Sequence, residues 1–310
     1  MKIAIIGAGA MGSLFGGLLA RTCQPILYDL NQAHVDAMRA HGLRMSFSGQ
    51  DEIAEVTATS DPSAVPAMDA VILFVKSPHT RAALLDGLRR AITPDTQVIS
   101  LQNGLGNIEV MRELLAPAQI VQGFSTLTSD LAGPGHIHVT CDLNLHTAMW
   151  PLTHQPDARL QELCQLMNQA GLQTVISDQV ERDVWMKLLV NASLNSLCAI
   201  TRQNVGHVVD HPGTRRILES IVYETADIAN AKGLSISRQA ALQHVLHVAE
   251  KTRGHIPSMA TDVFNRRPTE IEAINGAIVR AGQALHIPAP ATEWAAHLVR
   301  CLENYDHWAA

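Results

Sequence analysis

The chain has 310 residues, enough for two domains of ordinary size, and 47% of them are hydrophobic while 17% are charged. These proportions exclude a disordered chain and indicate a globular protein with a sizeable core. The formal net charge is −6 and no run of Lys and Arg is present, so no nucleic-acid partner is expected. Five scattered cysteines without a CxxC pair disfavour a disulfide framework or a zinc site, and they favour reduced thiols in a cytoplasmic protein.

The first twelve residues carry a glycine motif in a specific context. An apolar run over 3–6 predicts one buried strand, and Gly7, Gly9 and Gly12 follow it in GxGxxG spacing at the start of a predicted helix. Gly7 permits the turn, Gly9 lets a pyrophosphate approach the backbone, and Gly12 lets the helix pack on the strand. The free N–H groups of the helix N-terminus would face the phosphates. The predicted cofactor-binding residues of this turn are Gly7, Ala8, Gly9, Ala10, Met11 and Gly12.

The same segment has a competing interpretation. Residues 3–20 carry no charge and follow Lys2, as in a signal peptide or a membrane span. Five of these eighteen residues are glycine, spaced for a turn between a strand and a helix. No membrane segment is therefore predicted.

An acidic residue ends the second predicted strand. Residues 25–28 form that strand, and Asp29 follows 17 residues after Gly12, close to the spacing of a ribose-binding carboxylate. Asp29 would bind the ribose 2′-OH and repel a 2′-phosphate, which favours NADH over NADPH. Alternatively, Asp29 is a loop acid beside Asn31 that starts the next helix. Both residues are counted as cofactor-binding.

Strands and helices alternate along the first half of the chain. Further strands are predicted over 69–75, 98–101, 120–124 and 172–176, helices over 32–41 and 157–170, and a hairpin pair over 136–140 and 143–150. Alternation of this kind predicts a doubly wound, mostly parallel sheet, which binds ligands at the carboxyl ends of its strands. The glycine turn, Asp29, Lys76 and Asn103 all follow strand ends, so we expect them to converge on one crevice.

After residue 177 helical periodicity replaces the strands. The predicted helices are 180–199, 213–232, 238–252, 269–285 and 292–305. The predicted fold class is therefore α/β, with an N-terminal Rossmann-type doubly wound sheet followed by an all-α C-terminal domain. We expect a dinucleotide-binding domain over 1–178 and a helical substrate and catalytic domain over 179–310. Whether its apolar helices bury a homodimer interface or only the domain core is left open.

The helix over 180–199 carries a lysine and two amides. Lys187, Asn191 and Asn195 are spaced i, i+4, i+8 and lie along one stripe of a helix, which suits a small anionic ligand rich in oxygen. From the spacing alone, a solvated polar face is the better interpretation. Further along, Thr269 is predicted to be the N-cap of the next helix, and Glu270 would then be explained by its first turn. His136 and His138 would be two ligands without a third, so no metal is expected.

Five sequence blocks together resemble one enzyme family. They are GAGAMG at 7–12, VKS at 75–77, QNGLG at 102–106, WMKLLVNASLNSLCAI at 185–200 and SMATDVFNRRPTEIEAINGAI at 258–278. In this combination the chain resembles the ketopantoate reductases (2-dehydropantoate 2-reductases) over essentially its whole length. The last two blocks are far more specific than the glycine motif.

The resemblance implies NAD(P)H-dependent reduction of ketopantoate to (R)-pantoate, by hydride transfer to C2, in pantothenate and CoA biosynthesis. It implies that Lys187 is the proton donor and that Glu270 borders the cofactor and the reacting centre as a second catalytic residue. The other roles that it implies are substrate binding by Asn191, Asn195 and Ser258, cofactor contact by Lys76, and a place beside nicotinamide and substrate for Asn103.

The sequence departs from the family pattern at two places. Family members that use NADPH often carry an arginine just after the second strand, whereas here no Lys or Arg occurs between that strand and Arg39, which again favours NADH. The family often has Asn-Pro-Leu-Thr-Ala where this chain has Asn-Ser-Leu-Cys-Ala at 195–199. The first alternative is therefore a D-2-hydroxyacid dehydrogenase of the D-mandelate type, acting on another branched or aromatic 2-oxo acid. A non-catalytic dinucleotide-binding module is a third interpretation, and the presence of Lys187, Asn195 and Glu270 counts against it.

Overall fold

The computed structural model describes residues 1–47, 49–87, 89–140, 143 and 146–303. The chain divides into two compact units. The first unit comprises Met1–Gln102 and Asn107–Val180, and the second comprises Asn103–Gly106 and the chain from Glu181 onward. The short segment Asn103–Gly106 thus groups with the helical second half of the chain, although it follows a strand of the first unit.

The first unit contains two sheets. Its strands are β1 (Ile3–Ile6), β2 (Ile26–Tyr28), β3 (Leu43–Phe47), β4 (Gln50–Ala54), β5 (Thr57–Thr59), β6 (Ala70–Leu73), β7 (Gln97–Ser100), β8 (Ile120–Ser125), β9 (Ser129–Gly133), β10 (His136–Val139), β11 (Thr147–Pro151) and β12 (Thr174–Ile176). Among the described residues, the larger sheet has the order β12-β11-β8-β7-β6-β1-β2-β5 and the smaller sheet has the order β4-β3-β10-β9.

The larger sheet is mostly parallel, and two of its inner strands, β1 and β6, set the position of a ligand site. Every residue of β1 and β6 is buried, as expected for strands covered on both faces, and the two strands pair in parallel. From β1 the chain runs outward to β2 and β5, then returns to β6 on the other side of β1. The strand order therefore reverses between β1 and β6, where doubly wound sheets bind their ligands.

The predicted hairpin over 136–150 is wrong. β10 pairs antiparallel with β9 and parallel with β3 in the smaller sheet, whereas β11 pairs antiparallel with β8 and parallel with β12 in the larger one. The turn at Gly133-Pro134-Gly135 closes the β9–β10 hairpin instead. Two adjacent apolar segments look like hairpin partners in sequence, but the alternation of side chains does not specify which sheet receives each segment.

The helices of the first unit flank its sheets. They are α1 (Ala10–Leu19), α2 (Gln32–His41), the short α3 (Thr80–Ala82), α4 (Asn107–Leu114) and α5 (Ala158–Gln169), with 3-10 turns at Pro62–Ala64, Ser77–His79 and Pro117–Gln119 and a π turn at Ala83–Gly87. The side chain of Asp157 caps α5 by accepting a hydrogen bond from the Leu160 N–H at 2.9 Å.

The second unit is helical throughout its described elements. They are α6 (Val180–Val190), a π turn (Asn191–Asn195), α7 (Ser196–Thr201), α8 (Val205–Asp210), α9 (Pro212–Ala231), α10 (Arg238–Lys251), α11 (Ser258–Phe264), α12 (Asn275–Ala284) and α13 (Pro290–Glu303). Trp185, Leu189 and Ile221 are at most 1% exposed in its core. With the doubly wound sheet of the first unit, this arrangement confirms the predicted fold class.

The stretch Val180–Thr201 is long and apolar enough to cross a membrane by length and composition, and 56% of its most apolar window is buried within the protein. A mostly buried core helix of a globular protein can have the same length and apolar composition as a membrane span. Its apolar residues, including Trp185 and Leu188, belong to the core of the second unit.

Candidate active site

The glycine turn connects β1 to α1 at the reversal of the strand order. Gly7 has φ +88°, and a Cβ built on it would lie 2.6 Å from the Val75 backbone nitrogen just beyond β6, so only glycine fits there. A Cβ on Gly12 would lie 2.1 Å from the Gly7 carbonyl oxygen, whereas a Cβ on Gly9 would have no atom within 4 Å. The turn is thus tightly packed at its two ends and open in the middle.

The N-terminus of α1 has the features of an anion site. Gly9 is its N-cap, and no side chain caps the helix. The first N–H groups of a helix have no intrahelical acceptor and carry the positive end of the helix dipole. Ala10 and Met11, the first helical residues, are partly buried. The whole predicted set from Gly7 to Gly12 therefore forms one turn and the first turn of one helix.

The residues after β2 have local structural roles. Asp29 accepts a hydrogen bond at Oδ1 from the Asn31 backbone N–H at 2.8 Å, and Asn31 caps α2 by accepting at Oδ1 from the His34 N–H at 3.3 Å. A second carboxylate, Asp61, follows the neighbouring strand β5. Burial raises the pKa of Tyr28, and the charges of Asp29 and Asp61 raise it further, so both carboxylates lie near this phenol.

Lys76 follows β6 at the same edge of the sheet. It is partly buried and precedes the 3-10 turn Ser77–His79. β1 pairs with both β6 and β2, so the glycine turn, Lys76 and Asp29 follow the carboxyl ends of three neighbouring strands. The structure therefore brings together the predicted cofactor residues of the first unit. Asp61 lies at the same edge of the larger sheet, after β5. It was not among the predicted site residues. Its sequence signal is an acidic residue shortly after two threonines, Thr57 and Thr59.

Lys187 and the two asparagines lie on a helix that is interrupted. Lys187 is in α6, whereas Asn191 and Asn195 are the first and last residues of the π turn Asn191–Asn195. In a π turn each N–H bonds to the carbonyl five residues earlier, so the turn is wider than an α turn, and such turns are frequent at functional sites. Lys187 and Asn191 are partly buried and Asn195 is 8% exposed. The straight i, i+4, i+8 stripe expected from an α-helix is therefore broken after Asn191.

Buried side chains bond to one carbonyl of the π turn and to one at the end of α6. The Ala192 carbonyl accepts hydrogen bonds from Asn275 Nδ2 at 3.0 Å and from Ser196 Oγ at 2.6 Å, and the Leu189 carbonyl accepts from Ser193 Oγ at 2.7 Å. Asn275 is fully buried, and its Oδ1 has no hydrogen-bond partner among the described residues. Asn275 was not among the predicted site residues. The sequence feature that could have indicated its role is an amide side chain in an otherwise apolar stretch.

The segment that carries Glu270 is not the helix that was predicted. α12 begins at Asn275, not at Thr269, and the preceding residues form successive turns in which Thr269 Oγ1 accepts from the Ile271 N–H at 3.1 Å. The Ala273 carbonyl accepts from the Leu105 N–H at 2.8 Å instead of continuing a helix. A Cβ on Gly104 would lie 2.3 Å from that carbonyl oxygen, so the glycine permits the close approach. This contact could not be read from helical periodicity.

The two glutamates of this segment have different partners. Asn103 Nδ2 donates to Glu270 Oε2 at 3.2 Å, within the second unit. Glu272 instead accepts from Arg300 Nε at 2.5 Å and from Arg280 Nη1 at 3.2 Å. These hydrogen bonds, with Arg300 first, lower the pKa of the Glu272 carboxyl. Glu272 therefore ties the segment to α12 and α13, while Glu270 is the carboxylate that Asn103 orients.

The environment of Lys187 changes its acidity. Burial disfavours the charged ammonium and lowers its pKa from the ordinary 10.5 to about 8, and the charge of Glu270 raises the pKa against this effect. A lysine with a pKa near 8 is still largely protonated at neutral pH and releases its proton more readily than a surface lysine. A general acid is most effective when its pKa lies near the working pH.

Ser258 is the first residue of α11, and its side chain is exposed. α11 packs on α7 and on the π turn, so the serine is carried by a helix in contact with the segment that holds Asn195. The second unit thus supplies an ammonium, a carboxylate, three amides and a hydroxyl from neighbouring elements. These groups can protonate one oxygen of a small anion and hydrogen-bond its other oxygens.

The other candidates of the sequence analysis lie outside these sites. The rings of His136 and His138 have centroids 4.8 Å apart on β10. Within the described ranges of the chain, no group of three or more His, Cys, Asp or Glu is arranged to hold a metal ion. Cys198 lies in the segment 195–199, which differs from the family pattern. Burial raises the pKa of its thiol to about 12, so this thiol is not a nucleophile at neutral pH.

Comparisons of sequence identify the family. The family described as "Ketopantoate reductase PanE/ApbA" matches residues 3–151, and "Ketopantoate reductase PanE/ApbA C terminal" matches residues 179–303. The 2-dehydropantoate 2-reductase of Streptococcus pyogenes serotype M1 is 30% identical over 307 residues, which cover 98% of this chain and 98% of that protein.

Comparisons with solved structures point to the same family. A PanE/ApbA family ketopantoate reductase from Ralstonia eutropha JMP134 is 34% identical with a TM-score of 0.89, over 98% of this chain and 99% of that one. D-mandelate dehydrogenase, in a ternary structure with NADH and anilino(oxo)acetate, is 29% identical with a TM-score of 0.91 over the same shares. On the evidence of both family matches and of relatives that align end to end, this chain belongs to the ketopantoate reductase family.

Proposed function

We propose that this protein is a 2-dehydropantoate 2-reductase, which reduces ketopantoate to (R)-pantoate with a nicotinamide dinucleotide in pantothenate and CoA biosynthesis. Membership of the ketopantoate reductase family over nearly the whole chain supports the reaction class. The single observation that carries the proposal is the pair of Lys187 and Glu270. Burial brings the pKa of this lysine to about 8, and the nearby carboxylate raises it against that effect.

The glycine turn fits a dinucleotide. The space beside Gly9 is open, and the N-terminus of α1 is uncapped, so its N–H groups can bind a pyrophosphate. When bound, the nicotinamide dinucleotide supplies the hydride that reduces C2 of the oxo acid. We assign cofactor binding to the residues from Gly7 to Gly12 with Asp29, Asn31 and Lys76, and we assign the dinucleotide-binding role to domain 1–178.

The side chains of domain 179–310, with Asn103, perform the rest of the chemistry in this proposal. As C2 is reduced, negative charge develops on the carbonyl oxygen, and Lys187 gives this oxygen a proton. Glu270 keeps the lysine protonated, since its charge raises the lysine pKa, and the Asn103 amide orients Glu270. Asn191, Asn195 and Ser258 would hold the carboxylate and hydroxyl oxygens of the substrate. After each turnover the neutral amine takes a proton from solvent.

Two carboxylates favour NADH over NADPH. Asp29 and Asp61 follow the neighbouring strands β2 and β5, where the adenine ribose binds in folds of this type. Hydrogen bonds from Ser63 lower the pKa of Asp61, so it is ionised at neutral pH. A 2′-phosphate would meet two negative charges there, and the first Lys or Arg after β2 is Arg39 in the last turn of α2. A higher kcat/KM with NADPH would refute this preference.

A second candidate is reduction of another 2-oxo acid, in the manner of D-mandelate dehydrogenase. Two observations support this second candidate. The TM-score to that enzyme is 0.91, and this chain has Ser196 and Cys198 where the ketopantoate reductases often have proline and threonine. Ser196 is fully buried and donates to the Ala192 carbonyl of the π turn. A residue without this hydroxyl could not make that bond, so this part of the pocket differs from members that have proline there.

A substrate panel tests the proposal. The oxidation of NADH or NADPH is followed at 340 nm with ketopantoate, with an aromatic 2-oxo acid such as phenylglyoxylate, and with branched 2-oxo acids. The proposal predicts the highest kcat/KM for ketopantoate. A higher value for phenylglyoxylate would favour the D-mandelate type of activity, and no turnover with any oxo acid would favour a non-catalytic dinucleotide-binding module.

We also propose that the protein works in the cytoplasm. The cysteines of the described residues (Cys23, Cys164, Cys198 and Cys301) are free thiols, which suits a reducing compartment. Cell fractionation tests this location, and recovery of the activity outside the cytoplasmic fraction would contradict it.

A further inference from the structure

One buried serine fixes a peptide of the glycine turn. Ser13 is fully buried in the first turn of α1, and its Oγ donates to the Ala8 carbonyl at 2.7 Å. The peptide between Ala8 and Gly9 is planar and trans, so its C=O and N–H groups point in opposite directions. Because the carbonyl is held inward by Ser13, the Gly9 N–H points away from the serine. A Cβ on Gly9 would have no atom within 4 Å, so the backbone is open on that side.

A buried histidine in turn holds the serine. His34, in α2, is 1% exposed and lies with Nε2 at 3.1 Å from Ser13 Oγ. Its Nδ1 accepts a hydrogen bond from the Gly135 backbone N–H at 2.8 Å, so the ring proton is on Nε2 and is donated to the serine. Burial lowers the pKa of His34, with the charge of Asp29 opposing, which keeps the ring neutral at pH 7.

The far end of this chain of hydrogen bonds is rigid. Gly135 lies in the β9–β10 turn with φ +67°, and a Cβ on it would lie 2.9 Å from Ala37 Cβ of α2. Its carbonyl accepts from the Arg44 N–H at 2.9 Å. The β9–β10 hairpin therefore packs closely on α2. It cannot move away from the His34 ring without breaking the hydrogen bond between the Arg44 N–H and the Gly135 carbonyl.

We propose that His34 is a positioning residue for the dinucleotide: through Ser13 it holds the Ala8 peptide so that the Gly9 N–H faces the pyrophosphate. The inference rests on the proposed function, since it assumes that the glycine turn binds a nicotinamide dinucleotide. If the network only satisfied buried polar groups, its loss would lower stability and leave dinucleotide affinity unchanged.

Two amide variants separate the contributions of Nε2 and Nδ1 of the histidine. His34→Gln keeps an N–H donor at the position of Nε2, whereas His34→Asn keeps an acceptor at the position of Nδ1 and loses the donor to Ser13. We expect the Kd for NADH, measured by quenching of its fluorescence or by calorimetry, to rise about tenfold in His34→Asn and Ser13→Ala. In His34→Gln the rise should be less than about threefold. The kcat at saturating NADH should be unchanged in all three variants.

Ser125→Ala is the matched control, because Ser125 is also a buried serine of the first unit, on β8, and its hydroxyl accepts from Thr147 Oγ1 at 3.0 Å. It should lower the Tm and leave the Kd for NADH unchanged. Wild-type affinity for NADH in both Ser13→Ala and His34→Asn would overturn the inference, and if His34→Asn does not fold, Ser13→Ala alone decides. Failure of the wild-type protein to bind any nicotinamide dinucleotide would instead overturn the proposed function.

Discussion

At the scale of single residues, the acidity of Lys187 decides what the second unit can do. A solvent-exposed lysine has a pKa of ~10.4 and holds its proton firmly at neutral pH. Burial of Lys187 lowers this value to about 8, and Glu270 prevents a further fall. The balance gives a side chain that is largely protonated at neutral pH and can lose its proton near pH 8.

The rate of reduction should therefore depend on pH with a known sign. Only the protonated amine can donate, so kcat/KM for the oxo acid should be constant below about pH 8 and fall above it. Oxidation of the hydroxy acid needs the neutral amine and should rise through the same pH. Initial rates in both directions, measured across this range, check the prediction. A reduction rate that stays constant well above pH 8 would exclude Lys187 as the donor.

Neutralising Glu270 should move this pH dependence. In Glu270→Gln the charge that raises the lysine pKa is gone, so the fall in kcat/KM should shift to lower pH and the rate at neutral pH should decrease. Glu272→Gln is the matched control, because it removes a carboxylate two residues away that pairs with Arg280 and Arg300. It should lower the Tm and leave the pH profile in place. The same profile in wild type and Glu270→Gln would show that Glu270 does not tune the lysine.

The proposed preference for NADH should depend on two carboxylates. The double variant Asp29→Ser, Asp61→Ser removes both charges that would repel a 2′-phosphate, so its ratio of kcat/KM for NADH over NADPH should fall by about tenfold or more. Asp36→Ser, on the exposed side of α2, is a control for a general change in charge. An unchanged ratio in the double variant would remove both carboxylates from the account of specificity.

At the scale of elements, the π turn Asn191–Asn195 is the feature that positions the proposed substrate-binding asparagines. It separates α6, with Lys187, from α7, and a buried hydroxyl and a buried amide bond to its Ala192 carbonyl. Asn275 links this turn to the start of α12, and therefore to the segment that carries Glu270. One amide thus connects the element that holds Lys187, the proposed proton donor, with the segment that holds Glu270.

Asn275→Ala tests this connection. The Ala192 carbonyl loses one of its two side-chain donors, so the π turn should lose its fixed register, and the KM for ketopantoate should rise about tenfold with little change in the Kd for NADH. The matched control is Thr225→Ala in α9, where a buried hydroxyl donates to the Ile221 carbonyl at 2.7 Å. Both variants should lower the Tm. If the KM rises equally in both or in neither, Asn275 has only a structural role.

The elements also show what the sequence could and could not predict. β1, α2 and the predicted order of strands and helices follow from apolar runs and caps, which are local properties. The pairing of β10 with β3 and β9, the π turn, and the late start of α12 at Asn275 depend on contacts between distant segments, such as Leu105 N–H with the Ala273 carbonyl. Local periodicity contains no information about such partners.

At the scale of the whole molecule, the site residues of the first unit can be predicted from the sequence pattern alone, and those of the second unit cannot. The glycine turn is recognisable alone, because its spacing has a physical reason at each position and its residues adjoin in the chain. The set of Lys187, Asn191, Asn195, Ser258 and Glu270 spans more than eighty residues, and spacing alone favoured a solvated surface. Only the resemblance to a family raised these residues above the alternatives, and the structure adds the buried setting that lowers the lysine pKa.

The most direct test of the central claim is the turnover of Lys187→Ala, because dinucleotide binding and proton donation are assigned to different units. The kcat for ketopantoate, followed at 340 nm at saturating NADH, should fall by about 10²–10⁴-fold. The Kd for NADH should change by less than about twofold. Lys232→Ala, at the exposed end of α9, should retain both values. The account predicts this loss of turnover with intact NADH binding, and a wild-type kcat in Lys187→Ala would contradict it.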